Sequence, residues 1–218
     1  MSANDNLLEK VPDDILSEQK ILAINGSPRI NGNSDVLLKH IFKGVQGEDV
    51  PTESVHLRDY YFQPCIGCER CRKDKICTGL NDGMNLLYPK IIEAQGLILL
   101  SPTHNYNITA WMKAFIDRLY CLYEFDDNRP RGWTSRLAGQ NRKAVIVAIC
   151  EQKDKKDMGF TIEAMRLPLQ ALGYEVFEEI PVFKIFDRGA VKRDEEILTK
   201  ASELGRRFAQ SIVPDKSF

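Results

Sequence analysis

KILAINGSPRINGNS, residues 20–34, is an apolar run followed by a loop of small and polar residues. The run Lys20 to Asn25 predicts a buried strand that ends at the turn-forming residues 26–29. A helix is predicted from about Ser34 to Gly44, because apolar residues recur there at three-to-four spacing. A strand that leads through a short loop into a helix is the repeating unit of α/β folds.

The same alternation continues along the chain. Further strands are predicted at residues 54–57, 96–100, 143–150 and 174–180, and further helices at 82–94, 110–123, 161–172 and 195–212. Because parallel strands need crossover helices, this order predicts an α/β fold: a doubly wound five-stranded parallel sheet with helices on both faces. The domain is expected to span residues 20–213, with an N-terminal arm at 1–19 and a long polar connection at 124–142.

Length and charge exclude several classes of protein. The chain has 218 residues, 30 basic and 31 acidic, for a formal net charge of −1. A near-neutral balance argues against nucleic acid or an anionic membrane as a partner. The N-terminus lacks the features of a signal peptide, and we find no apolar run of membrane-spanning length, so we expect a cytoplasmic protein.

The loop after the first predicted strand has the features of a phosphate site. Its hydroxyls, backbone N–H groups and following helix N-terminus favour a dianionic phosphate, and Arg29 adds a positive charge. The run matches neither a Walker loop nor G-x-G-x-x-G. The structural alternative is an ordinary turn with Ser34 as helix cap.

Four cysteines lie within thirteen residues, in the order Cys65, Cys68, Cys71 and Cys77, inside a loop predicted at 64–80. In a reducing compartment, clustered cysteines are more often metal ligands or redox groups than disulfides. The spacing of the first three cysteines, C-x2-C-x2-C, is similar to that of ferredoxin-type 4Fe–4S ligands. Zinc, or no metal, remains an alternative, although zinc sites more often pair two separated C-x2-C knuckles.

Taken together, these motifs resemble the NAD(P)H-dependent FMN reductase superfamily, which is flavodoxin-like. The resemblance rests on Gly-Ser-Pro-Arg-x-x-Gly-Asn-Ser at 26–34, the cysteine motif, Ser-Pro-Thr-His-Asn-Tyr at 101–106 and Lys-Ala-Phe-Ile-Asp-Arg at 113–118. Within the superfamily, the cysteine spacing is similar to that of the iron-sulfur flavoproteins. Many relatives have Asp-Asp-Met where this chain has Asn81-Asp82-Gly83-Met84, and an aromatic residue where it has His104.

The resemblance implies a set of cofactor-binding residues. The FMN phosphate is expected on the first loop, and the flavin ring on the loops after the third and fourth strands. The implied residues are Ser27, Arg29, Gly32, Asn33, Ser34, Pro102, Thr103, His104, Asn105, Tyr106, Cys150 and Glu151. The four clustered cysteines are the implied ligands of a 4Fe–4S cluster.

The function that follows is a flavin-dependent oxidoreductase that passes electrons between FMN and a one-electron partner. The expected partners are a redox protein or NAD(P)H, with a small-molecule acceptor as a further option, and the expected assembly is a homodimer or homotetramer. The alternatives are a cluster-free NAD(P)H-dependent reductase and a zinc-stabilised flavin-binding protein without turnover. No side chain stands out as a general base.

Several side chains are expected to be structural. Cys121 is predicted to be a small core residue, and so is Cys150, although its position also begins the loop implied to border the flavin ring. Trp111 is predicted to pack in the core with the apolar stripe of its helix. Lys113 and Asp117 are predicted to form a solvated pair along the same helix.

Overall fold

The computed structural model describes residues 19–213, so the predicted arm lies outside the described residues except for its last position. The chain forms seven strands in this range: β1 Ile21–Asn25, β2 Thr52–His56, β3 Gly96–Pro102, β4 Tyr123–Phe125, β5 Trp133–Ser135, β6 Lys143–Ile149 and β7 Glu175–Val182. The α-helices are α1 Asn33–Val45, α2 Cys71–Asp74, α3 Tyr88–Glu93, α4 Ala110–Arg118, α5 Glu163–Ala171 and α6 Glu195–Ile212.

Five of the strands form one parallel sheet in the order β2-β1-β3-β6-β7. This order reverses between β1 and β3, as in flavodoxin-like folds, and the predicted fold is confirmed. Asn25 aligns with His56 on one side, and Pro102 aligns with Ile149. The carboxyl ends of the strands therefore share one edge of the sheet, which is where such folds bind ligands.

The core has a layer on each face of this sheet. Alternate residues of β1 point to opposite faces, so Leu22 packs with the α4 and α5 layer while Ile21 packs with the α1 and α6 layer. Both residues are fully buried. Burial on two sides explains why the strand reads as an uninterrupted apolar run.

Two predicted helices are shorter in the structure. The helix predicted to reach residue 123 ends at Arg118 and continues as a 3-10 turn, Leu119–Leu122. The helix predicted from residue 82 begins as a 3-10 turn, Gly83–Leu86, and becomes α-helical at Tyr88. Side-chain periodicity does not distinguish these tighter turns from α-helix, because both bury every third or fourth residue.

The polar connection at 124–142 is not wholly irregular. It contains β5, which pairs antiparallel with β4 to form a hairpin. Aromatic rings stabilise this hairpin: Tyr120 stacks on Phe125 with centroids 4.9 Å apart, and Tyr123 meets Trp133 edge-on at 5.3 Å. The strands have only three residues each, which is too short for an alternating pattern to be recognised in the sequence.

Most of the structural predictions on α4 are confirmed, with one exception. Met112 and Phe115 are fully buried, and Cys121 in the turn that follows is also buried. Lys113 pairs with Asp117 on the exposed face at 2.5 Å. Trp111, however, remains 39% exposed, so its assignment to the core was wrong. Among residues 19–213, no helix is long and apolar enough to cross a membrane.

Candidate functional site

The predicted phosphate loop, residues 26–34, leaves the sheet at the carboxyl end of β1. Its first residue is held by two hydrogen bonds: the Gly26 N–H donates to the Leu100 carbonyl at 2.8 Å, and the Thr109 hydroxyl donates to the Gly26 carbonyl at 2.8 Å. These bonds join the loop to β3 and to the start of α4. The loop is therefore held at the topological switch point of the sheet.

The phosphate loop contains donors that suit an anion. Helix α1 begins at Asn33, so the N–H groups of its first turn have no partner within the helix. Ser27 and Ser34 are buried, and the Ser27 hydroxyl accepts a bond from the Arg29 N–H, which leaves its own proton free to be donated. Gly32 takes the N-cap position in extended backbone, so Ser34 is not the helix cap.

Arg29 and Asn33 contact the segment that follows β7. Arg29 Nη1 donates to the Phe186 carbonyl at 2.6 Å, and its guanidinium lies 4.7 Å from the centre of the Phe186 ring. The Asn33 amide donates to the Asp187 carbonyl and accepts from the Val191 N–H. Both ends of the Asn33 amide are thus engaged by the protein, and its side chain acts as a brace for the loop.

Arg58 lies in the turn that follows β2 and binds the phosphate loop from there. Its guanidinium donates to the carbonyls of Ser27 and Arg29 at 3.2 and 3.3 Å, and pairs with both carboxylate oxygens of Asp35 at 3.2 and 3.1 Å. Asp35 also accepts from the Asn25 amide at 2.7 Å. Arg58 could not be predicted from the sequence, because it follows a short strand and lies in no motif.

The loop after β3 turns tightly at residues 103–107. His104 and Asn107 exchange backbone hydrogen bonds, and Asn105 and Tyr106 adopt positive φ angles of 53° and 65°. The Thr103 N–H donates to the Ile149 carbonyl at 2.7 Å, which anchors the turn to β6. Pro102 is the last residue of β3 and fixes the direction of entry into the turn.

Gly159 packs directly under this turn. Its φ is +56°, and a Cβ at this position would overlap the carbonyl oxygen of Tyr106. The next residue, Phe160, donates its N–H to that same carbonyl at 2.8 Å. Only glycine allows so close an approach with left-handed backbone, so the turn at residues 103–107 is fixed by the segment after β6.

A cleft of about 290 Å³ opens between the loops after β3 and β6. Its walls are Thr103, Asn105, Tyr106, Cys150, Glu151, Gln152 and Asp157. Cys150 is buried in the wall of the cleft. Backbone hydrogen bonds to Val182 and Ile185 hold it in this position. Five of the predicted ring-binding residues, Thr103, Asn105, Tyr106, Cys150 and Glu151, therefore share one cavity.

His104 belongs to the turn at residues 103–107, between two residues that line the cleft, Thr103 and Asn105. Burial lowers the pKa of His104, and the positive charge of Arg29 lowers it further. The imidazole is consequently neutral at pH 7.

The segment that carries the four cysteines is closed at its base by a buried ion pair. Arg118 binds both carboxylate oxygens of Asp82, at 2.7 and 3.1 Å, and donates to the Gln63 carbonyl at 2.9 Å. Asp82 also accepts the N–H groups of Gln63 and Met84. The side chains of Arg118 and Asp82 are only 1% and 7% exposed. The two ends of the cysteine segment, residues 63 and 82, are thus joined.

All four clustered cysteines are free thiols. Cys65 and Cys68 are exposed, whereas Cys71 and Cys77 pack against the apolar core. Burial raises the pKa of Cys71, and the neighbouring thiols of Cys77, Cys65 and Cys68 raise it further. Within residues 19–213, however, no three cysteine, histidine or acidic side chains are arranged closely enough to hold a metal ion. Four thiols on one segment are nonetheless a donor set that suits a metal.

The cysteine segment follows β2, whose carboxyl end lies at the same edge of the sheet as the phosphate loop. The chain leaves that edge through the turn Leu57–Asp59 before the segment begins, and α2 within the segment packs against the turn Leu119–Leu122 and against β4. Arg72 lies over the Phe125 ring at 5.1 Å, and Arg136 donates to the Lys75 carbonyl at 2.6 Å. Helix α4 starts beside the phosphate loop, where Thr109 contacts Gly26, and α2 packs at the other end of that helix.

Comparison with known proteins agrees with this geometry. The family model described as NADPH-dependent FMN reductase matches residues 19–150, which is more than half of the chain. The chain belongs to the NADPH-dependent FMN reductase family. The predicted family is thereby confirmed, and its members are flavin-dependent oxidoreductases that use FMN.

Similar proteins within the NADPH-dependent FMN reductase family carry the name iron-sulfur flavoprotein. One from Archaeoglobus fulgidus is 37% identical over 212 residues, covering 91% of this chain and 98% of that protein. A second from the same organism is 29% identical over 195 residues, covering 88% and 80%. One from Methanocaldococcus jannaschii is 35% identical over 99 residues, covering 45% of this chain and about half, 51%, of that protein.

Solved structures of similar fold include FMN-dependent and quinone-reducing enzymes. An FMN-dependent NADH-azoreductase from Bacillus anthracis superposes with a TM-score of 0.67 at 16% identity, covering 88% of this chain and all of that one, 100%. An NAD(P)H:quinone oxidoreductase from Methanothermobacter marburgensis also gives 0.67 at 15% identity, covering 88% and 97%. At these identities the likeness shows a common fold.

Proposed function

We propose that this protein is an FMN-dependent oxidoreductase that also carries a 4Fe–4S cluster on Cys65, Cys68, Cys71 and Cys77. It passes electrons between FMN and a one-electron partner, with NAD(P)H or a reduced redox protein as donor. The observation that carries the proposal is that one chain of an FMN reductase family contains two features. The first is a predicted phosphate loop and an open cleft at the same edge of the sheet. The second is a segment with four free thiols whose two ends are joined by the pair of Asp82 and Arg118.

The residues of the cleft supply binding and orientation. The first-turn N–H groups of α1 and the hydroxyls of Ser27 and Ser34 would hold the FMN phosphate, and Arg29 would add charge. Residues 102–106 and Glu151 would border the ring, where neutral His104 offers one donor and one acceptor. FMN accepts a hydride or single electrons, and a 4Fe–4S cluster passes single electrons.

The cysteine segment supports a cluster through its chemistry and its closed base. Four thiols on one segment match the ligand number of a cubane cluster. Exposed Cys65 and Cys68 are free to approach Cys71 and Cys77, whose positions are fixed by packing on the core. Exposed thiols persist in a reducing environment, so a cytoplasmic location is part of this proposal.

A cluster-free reductase is the second candidate. It is favoured by one observation, that the four thiols are not gathered around a metal-sized centre in the described residues. On this alternative, NAD(P)H would reduce FMN, and a quinone, flavin or nitro compound would be the acceptor. A zinc-stabilised flavin-binding protein without turnover is the remaining alternative.

Anaerobic purification followed by spectroscopy tests the proposal. We expect one FMN and about four iron and four sulfide per chain, with a broad iron–sulfur absorbance beneath the flavin bands. Cys77→Ser should lose most of the iron while keeping FMN. The matched control is Cys121→Ala, which removes a neighbouring buried thiol outside the segment and should retain both.

Reduction then separates the candidates. A low-potential one-electron dye should reduce both centres of the protein. Less than one iron per chain would exclude the cluster, and rapid bleaching of that iron-free protein by NADPH would indicate the cluster-free reductase. A stoichiometric zinc content, with no reduction by any donor, would instead indicate the flavin-binding protein without turnover.

A further inference from the structure

We propose that Arg58 is a positioning residue of the phosphate loop: it holds loop carbonyls away from the anion and neutralises the carboxylate of Asp35. This inference rests on the proposed flavin site. It concerns a residue that lies in none of the motifs and that reaches the loop from the end of a different strand.

The contacts of Arg58 leave it little freedom. Its side chain is 9% exposed, and Nη1 alone lies within 3.3 Å of three oxygens, the carbonyls of Ser27 and Arg29 and one carboxylate oxygen of Asp35. Nη2 lies 3.1 Å from the other carboxylate oxygen. One planar guanidinium therefore joins the start and the middle of the loop to the first turn of α1, a bidentate geometry that lysine cannot reproduce.

The carbonyl bonds set the orientation of the loop peptides. In a trans peptide the C=O and the following N–H point in opposite directions. Because Arg58 binds the Arg29 carbonyl, the N–H of Ile30 points away from Arg58. A carbonyl oxygen turned toward a phosphate would repel it, so holding two of these oxygens favours an anion on the opposite side of the loop.

The negative charge of Asp35 explains why a positive charge is needed at position 58. Asp35 is an acidic residue in the first turn of α1, next to Ser34, where the helix N-terminus would otherwise attract the phosphate. Its other neighbours, the Asn25 amide at 2.7 Å and the His56 ring at 3.5 Å, do not supply a permanent charge. Without Arg58, an unpaired carboxylate would oppose a dianion at the same site.

Binding of FMN and riboflavin to the apoprotein tests this role, because the two ligands differ only in the phosphate. Arg58→Met should weaken FMN binding about tenfold or more, since the unpaired Asp35 charge then acts at short range. Riboflavin binding should change by less than about threefold. The loss for FMN should shrink at high salt, which screens the repulsion.

Two further variants separate charge from packing. Adding Asp35→Asn to Arg58→Met removes the unpaired carboxylate and should restore part of the FMN affinity, which a merely structural role would not do. Arg206→Met, which removes the same charge from the exposed face of α6, is the matched control and should bind both ligands normally. If Arg58→Met does not fold, Arg58→Lys replaces it, with a smaller loss expected for FMN.

Three outcomes would overturn the inference: unchanged FMN affinity in Arg58→Met, an equal loss for both flavins, or no rescue by Asp35→Asn. Wild-type protein that binds neither flavin, or that binds riboflavin as tightly as FMN, would contradict the proposed phosphate site itself. Failure of the inference and failure of the proposed flavin site are therefore distinguishable.

Discussion

At the residue scale, Asp82 shows how one buried carboxylate can order a long segment. Burial alone would raise the pKa of Asp82, but the hydrogen bonds from Arg118 and from two backbone N–H groups outweigh it and lower the pKa below its usual range. A carboxylate in this state stabilises the fold only while it is ionised. If Asp82 were removed, its partner Arg118 would be left as an uncompensated buried charge.

We predict that Asp82→Asn lowers the free energy of unfolding at pH 7 by about 3 kcal/mol, measured by urea denaturation. Because the folded-state pKa lies below the unfolded value, the stabilisation is complete above about pH 4 and is lost as the pH falls through the folded-state pKa. The difference between wild type and variant should therefore shrink in acid.

Asp117→Asn is the matched control for this prediction. Asp117 pairs with Lys113 on the exposed face of α4, where both side chains are well solvated, so its loss should cost less than about 1 kcal/mol. Equal effects of the two substitutions, or a difference that grows in acid, would contradict a buried role for Asp82.

At the element scale, the packing of α1 on α6 depends on two glycines. A Cβ at Gly44 would overlap the Ser202 carbonyl oxygen, and a Cβ at Gly205 would overlap the Ile41 carbonyl oxygen. The backbones of the two helices approach closely at these points. This crossing covers one face of the sheet. One of its two helices, α1, is the helix that begins at the end of the phosphate loop.

Gly205→Ala should therefore destabilise the protein by about 1–3 kcal/mol, although alanine is the better helix former, because the added methyl group forces the helices apart. Thermal unfolding measures this effect. Gly47→Ala is the control, since nothing lies within 4 Å of that position, and it should be neutral or slightly stabilising. A stabilised Gly205→Ala variant would show that the helices are not held at this distance.

At the scale of the whole molecule, several large apolar side chains remain on the surface. Tyr106, Phe160, Leu167 and Trp133 are each more than half exposed, and Tyr106, which lines the cleft, accepts a backbone hydrogen bond from Phe160. Exposed apolar groups beside a polar rim are typical of association surfaces. This supports the proposed homodimer or homotetramer.

We expect sedimentation at micromolar concentration to give twice or four times the chain mass of 24.9 kDa. Phe160→Asp should shift the protein toward monomer, because a charge in an apolar contact is unfavourable. Lys156→Asp, a charge change a few residues away in the turn Lys155–Met158, is the control and should leave the mass unchanged. A monomeric wild type would contradict the proposed assembly.

The order of strands and helices, the position of the loop after β1 and the family all follow from the sequence alone. These features are local: a buried strand is a short apolar run, a helix repeats every three or four residues, and a loop motif is contiguous. The residues that determine each of these features lie within a few positions of one another in the sequence. For the same reason, the predicted bounds of the five main strands agree with the structure to within about three residues.

Only the tertiary structure set the partners of Arg58, the pairing of Asp82 with Arg118, the hairpin at β4 and β5, and the packing of the cysteine segment at the far end of α4. Arg58 and Asp35 are 23 positions apart, and Asp82 and Arg118 are 36 apart. Such contacts depend on how whole elements pack, and a single sequence records no spacing for them. The same limit applied to the four cysteines, because their spacing indicated a possible ligand set while packing fixed where the segment lies.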